Sequence, residues 1–207
     1  TPSQAEAIIE RMESNKETAL RPDVVTYTSL IKCWMESGAL RAASRAEEII
    51  EKLHKRHENG YFECKPDTMA YNVALNAIAK CKGDDSAQRA EALLERMQDR
   101  FIAGDLDVAP TAPSFVTVMS AWARSNHPKG GTRAEALLHK MHELHKSDVE
   151  NVAPNTFAYS TCILAWSKSG QRKAGKRAQN LLKEMERCRD EGLNDVKPNA
   201  ITYTNAM

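Results

Sequence analysis

The sequence predicts an all-α protein assembled from stacked helical hairpins, and three observations predict it. Proline recurs every 44 residues, at Pro22, Pro66, Pro110, Pro154 and Pro198. Five residues after each proline stands an aromatic: Tyr27, Tyr71, Phe115, Tyr159 and Tyr203. Between these markers the apolar residues fall at helical spacing, in a composition rich in Ala, Leu, Met, Glu, Lys and Arg, which favours helix. Further rows keep the same register: Trp34, Ile78, Trp122 and Trp166, then Arg45-Ala46-Glu47, Arg89-Ala90-Glu91, Arg133-Ala134-Glu135 and Arg177-Ala178-Gln179. Such coincidence without insertion or deletion marks a repeat array.

Residues 1–22 read as the second helix of a repeat whose first helix is missing, because Ala5 to Met12 carry its stripe. Four whole units follow at 23–66, 67–110, 111–154 and 155–198, and residues 199–207 begin a further first helix, so a longer array is expected. In each unit Asp23, Asp67, Thr111, Asn155 or Asn199 stands after the proline, where its short polar side chain can cap a helix. A first helix of about 13 residues is expected next, burying residues such as Tyr27, Leu30, Ile31 and Trp34 at i, i+3, i+4 and i+7. Ser37-Gly38, Gly83-Asp84, His127-Pro128 and Ser169-Gly170 end it. A second helix buries Ala46, Ile49, Ile50 and Leu53 and their counterparts, then runs on to Gly60, Gly104 and Gly192, which suit C-terminal caps; Asp148 interrupts that row. One such hairpin cannot bury both its apolar faces, whereas stacked neighbours can. A right-handed α-solenoid of helix-turn-helix repeats, with an inner groove lined by first helices, is therefore expected.

The bulk properties narrow the function. Hydrophobic content of 42% and charge of 28% suit a soluble folded protein. The formal net charge of +1 argues against gripping nucleic acid with the whole surface but leaves room for a basic stripe. Five cysteines without a C-x-x-C pair, and no N-x-[ST] sequon, point to a reducing compartment rather than a disulfide framework. No apolar run approaches the ~20 residues of a membrane-spanning helix.

Candidate chemistry is sparse. Gly170 to Arg177 nearly spells a phosphate-binding loop but lacks the Ser or Thr for magnesium and follows no strand, so nucleotide binding is not expected there. His139, His142 and His145 drift around a helix and read, with His54 and His57, as solvated side chains rather than metal ligands. No nucleophile, paired-carboxylate or Cys/His arrangement emerges, so no enzyme activity, cofactor, metal or small-molecule substrate is expected.

The stretch Pro22-Asp23-Val24-Val25-Thr26-Tyr27, the bend Ser167-Lys168-Ser169-Gly170 and the helix end Leu182-Lys183-Glu184-Met185 resemble the pentatricopeptide repeat, over essentially the whole chain. The unit is nine residues longer than that family's usual 35, with three extra residues around the bend and six after the second helix's stripe. The resemblance implies single-stranded RNA as partner, about one base per repeat, in a mitochondrion or plastid. It places base choice at the fifth residue of the first helix paired with the last residue of the repeat. Those pairs are Thr28/Asp67 for guanine, Asn72/Thr111 for a pyrimidine, Val116/Asn155 without a defined choice, and Ser160/Asn199 for adenine. Val25, Met69 and Phe157 would wedge between bases, with Pro113 a poor fit in the same row. Lys80, Arg124 and Lys168, in a row begun by Glu36, would face phosphates. Capping alone explains the last-position row, whereas Thr, Asn and Ser inside helices cost helix propensity and suggest another demand. A protein-binding scaffold within an organellar ribonucleoprotein or membrane complex is the alternative expectation.

Overall fold

A computed structural model of the chain describes residues 1–15, 20–81, 83, 85–190 and 195–206, and all regular structure among them is helical. In order these helices are α1 (Pro2–Ser14), α2 (Val24–Ser37), α3 (Ala42–Glu58), α4 (Thr68–Lys80), α5 (Ser86–Ile102), α6 (Ala112–Ser125), α7 (Gly130–Lys146), α8 (Thr156–Lys168), α9 (Ala174–Asp190) and α10 (Ala200–Ala206). They pack as two compact units, residues 1–109 and 110–207.

Each first helix opens on a side-chain cap. Asp23 accepts from the Thr26 backbone N–H at 2.8 Å, Asp67 from Ala70 at 2.7 Å, and Asn155 from Ala158 at 3.0 Å. Thr111 and Ser114 form a capping box, and Asn199 accepts from Thr202 at 2.9 Å. Each such bond satisfies an N–H that the helix itself leaves unpaired. First helices then run 13 or 14 residues, and α3, α5, α7 and α9 all run 17. The enlargement of the repeat therefore lies partly in a longer second helix.

The ends of these helices need left-handed backbone. Gly60 (φ 89°) and Gly104 (φ 101°) follow α3 and α5 as expected, while Gly192 and Asp84 lie outside the described residues. Asp148 does not break the row, since it adopts φ 58° and its N–H reaches the His145 carbonyl. Aspartate is among the few side chains that tolerate this region. The bend after α6 likewise turns on Asn126 (φ 51°), one residue before the expected His127-Pro128.

Within a unit, neighbours in sequence are neighbours in space. In the first unit α2 packs on α1, α3 and α4, and α4 on α3 and α5. In the second, α8 packs on α6, α7, α9 and α10. Within each unit first helices thus lie beside first helices, and α3, α7 and α9 each cover their own partner and the next first helix. This is the stacked-hairpin arrangement of a helical repeat protein. The aromatic row forms its core: Tyr27, Tyr71, Phe115 and Tyr159 are at most 1% exposed.

Three further ties hold successive hairpins together. Glu6 accepts from Trp34 Nε1 (3.1 Å) and from Arg45, whose guanidinium lies 5.9 Å from the indole. Glu135 repeats this with Trp166 Nε1 (2.9 Å) and Arg177, and Arg89 bonds Glu47 at 2.8–3.0 Å beside Ile78's position in the register. The aromatic hydroxyls find partners on the preceding second helix: Tyr27 on Glu13, Tyr71 on His54 and Tyr159 on His142. His54 is 4% exposed and His142 half-buried, so neither is the solvated side chain their spacing suggested, although His139 and His145 are exposed. Finally, Thr68 and Thr156 open their helices by donating through Oγ1 to loop carbonyls one repeat on. Thr68 reaches Ala109 at 2.8 Å and Thr156 reaches Asp195 at 2.9 Å.

Candidate nucleic-acid interface

The starts of the first helices carry the candidate groove. Their helical geometry presents the second residue of each helix outward while the fourth and seventh enter the core. Val25, Met69, Phe157 and Ile201 are accordingly 66%, 67%, 74% and 65% exposed. Pro113, in the same row, is also exposed, but its ring is short and fixed.

In the second unit an open cleft of about 780 Å³ lies over these helix starts. Thr111, Pro113, Asn151, Asn155, Phe157 and Asp195 line it, so two last-position residues and two second-position residues share one concavity. Its floor is held by backbone bonds from Ala112 N–H to Asn151 (2.8 Å) and from Thr156 N–H to Asp195 (2.9 Å). Asn151 takes φ 59° to make its contact.

The fifth-position residues, further along the first helices of each unit, are in different states. Thr28 is half-buried and donates to the Val24 carbonyl at 2.7 Å, which leaves its oxygen lone pairs as acceptors. Ser160 pairs with Thr202 Oγ1 at 2.9 Å, and Thr202 also bonds Asn199 Oδ1 at 3.0 Å. The structure thereby links Ser160 and Asn199 through one hydroxyl, a connection that spacing alone did not reveal. Asn72 and Val116 are half-buried on α4 and α6. In the last-position row, Asp67 and Asn155 each have one side-chain oxygen occupied by capping. For the amides of Asn155 and Asn199 that arrangement turns Nδ2, the donor end, to the other side. At Asp23, which opens the row of caps, the Thr26 hydroxyl and backbone N–H hold the carboxyl pKa below its ordinary value.

Lys80, Arg124 and Lys168 end α4, α6 and α8 with exposed side chains, as does Glu36 on α2. Each cation also lies at a helix C-terminus, where the macrodipole favours it. Among the described residues no cluster of His, Cys, Asp and Glu could hold a metal ion, and no helix is long and apolar enough to cross a membrane.

Stacked helical hairpins with exposed apolar side chains at their starts and cations at their far ends make this a helical-repeat protein. A family model described as the pentatricopeptide repeat domain matches residues 8–81. That match spans most of α1 through α4, so residues 8–81 form a pentatricopeptide repeat region, and the 44-residue unit it covers recurs through the rest of the sequence. The family is in general one of RNA-binding repeat proteins. No curated protein matches the chain.

Proposed function

We propose that this chain binds single-stranded RNA along the starts of its first helices, about one base per repeat, and acts without catalysis in organellar RNA processing, stability or translation. The row of exposed apolar side chains carries this reading. Exposing a Met, Phe or Ile that could have been buried forgoes roughly 1.5–3 kcal/mol each. Repeating that choice at Val25, Met69, Phe157 and Ile201 has no use within the fold, whose core lies on the opposite helix face. Flat or slender apolar groups at regular intervals suit insertion between unstacked bases, and an unpaired strand is the nucleic acid that presents them.

The polar pairs supply base choice. Asp67 can accept from the N1–H and N2–H donors of guanine while Thr28 offers a short acceptor beside it. Ser160 and Asn199 offer the donor and acceptor that adenine's edge requires. Asn72/Thr111 would favour a pyrimidine, and Val116/Asn155 would discriminate little. Lys80, Arg124 and Lys168 would meet phosphates and carry the salt-dependent part of affinity.

Selection from a random single-stranded RNA pool at two salt concentrations tests this. The expected result is enrichment of guanine and adenine separated by two bases, lost in Thr28→Val and Ser160→Val respectively. Binding without base preference, or equal for RNA and single-stranded DNA, would sink the reading in favour of a protein-binding scaffold.

A further inference from the structure

The near-neutral total charge hides a division between the two units. Residues 1–109 hold 15 Lys/Arg and 19 Asp/Glu, whereas residues 110–207 hold 14 and 9, giving −4 and +5. Much of the excess lies at the two bends of the second unit. Residues 124–133 contain Arg124, Lys129 and Arg133 with no acid, and residues 167–177 contain Lys168, Arg172, Lys173, Lys176 and Arg177 with none.

The fold brings these bends together. Gln171, at the start of the second bend, donates through Nε2 to the Pro128 carbonyl in the first. Lys129, Arg172, Lys173 and Lys176 are all exposed. Arg177 is held by Glu135, but those four form no ion pair with any described residue. Like charges gathered on adjoining bends repel one another, and among the described residues no carboxylate pairs with these four.

We infer that Lys129, Arg172, Lys173 and Lys176 on the paired bends of the second unit form a second anion-binding surface, apart from the groove and its Arg124 and Lys168, that takes the phosphate backbone of base-paired RNA. Three features select that partner. The surface is cationic, which calls for a polyanion. No large exposed apolar side chain lies in residues 124–133 or 167–177, so these bends lack the apolar platform on which unpaired bases stack best. A duplex hides its bases and displays two rows of phosphates, which point charges can meet without reading sequence. A structured flank of the strand held in the groove would satisfy both surfaces at once, although the second surface does not depend on the first.

The test uses the chain and a triple variant, Arg172→Gln/Lys173→Gln/Lys176→Gln, whose fold is checked by circular dichroism and melting. The probes are a blunt RNA duplex of about 16 base pairs, a random single-stranded pool, and vesicles of neutral lipid with and without phosphatidylglycerol. The expected result is duplex binding that falls at least tenfold in the variant, with the slope of log affinity against log salt reduced by about 2–3. Single-strand binding should change far less. Duplex binding that is absent, or unaltered in the variant, would overturn the inference. Capture of anionic vesicles in preference to duplex through the same residues would overturn it in favour of a membrane surface. A failed single-strand selection alongside variant-sensitive duplex binding would count against the groove alone.

Discussion

Trp166 donates its indole N–H to Glu135 across 2.9 Å, from the first helix of one hairpin to the second helix of the one before. The same carboxylate holds Arg177 at 2.6 Å, and the guanidinium centre lies 6.0 Å from the indole ring. Glu135 is only 8% exposed, so its charge is tolerable because both partners are present. Glu135→Ala should therefore cost about 3 kcal/mol, leaving an indole N–H and a guanidinium short of their acceptor. Urea denaturation followed by tryptophan fluorescence would measure it. A loss within ~0.5 kcal/mol would show that the carboxylate is incidental to stacking.

The same tryptophan sets a steric demand one turn away. A methyl group built on Gly131 would lie 2.6 Å from Trp166 Cε3 and 2.9 Å from its Cα, distances that require backbone movement. Gly175 occupies the equivalent place 44 residues on, and a methyl there meets nothing within 4 Å. Opposite outcomes are expected from one substitution. Gly131→Ala should destabilise by about 2 kcal/mol through overpacking, while Gly175→Ala should stabilise by up to ~1 kcal/mol through helix propensity. Melting temperatures of the two variants, measured side by side, decide whether the close approach is real.

How far these relationships were legible differs by kind. Pro66, Tyr71 and their counterparts mark the hairpins because turn and core chemistry recur at one interval, which one-dimensional inspection detects. The length of the second helices was legible for the same reason. The Arg-Ala-Glu row was visible, but not that Arg177 would meet Glu135 rather than its own neighbour Gln179; that choice depends on how hairpins stack. His142 looked solvated because its neighbours His139 and His145 are, and its partners, Tyr159 and Glu184, come from the next hairpin. At the interface, exposure of Phe157 follows from its helical phase, whereas the Ser160–Thr202–Asn199 chain joins two repeats and has no signature within either. The charge division between units was countable from the start and was masked by the near-zero total.

His54 makes stability depend on pH. Its Nε2 lies 2.9 Å from the Tyr71 hydroxyl; burial keeps that phenol protonated, so the neutral imidazole accepts the proton. Burial, and next the Arg100 guanidinium, depress the His54 pKa from 6.5 to about 4, and burial lowers that of His142 in the same direction. Because the unfolded chain binds a proton near pH 6.5 that the folded chain refuses until about pH 4, this stabilisation is complete above pH 6.5. It should decline as the pH falls from 6.5 towards 4, by as much as ~3 kcal/mol for this residue. His54→Gln keeps a polar partner for Tyr71 and cannot titrate. Melting curves from pH 7.5 to 4.5 should fall less steeply in that variant, and parallel curves would remove His54 as the cause.

The exposed second-position row makes the sharpest separation between binding and stability. Phe157 is 74% exposed and lines the cleft with Asn155 and Thr111, so truncating it removes little from the core. Phe157→Ala should leave the melting temperature within a degree or two while weakening single-stranded RNA binding about tenfold, the scale of one lost base–aromatic contact. Met69→Ala should behave alike to a smaller extent, as a flexible thioether stacks less well than a ring. Pro113 supplies an internal contrast. Although exposed in the same row, its compact ring offers little stacking surface, so Pro113→Ala should change affinity less than Phe157→Ala does. Fluorescence anisotropy with a labelled single strand gives all three affinities. Equal losses at Phe157 and Pro113, or none at either, would show that the apolar row faces something other than bases.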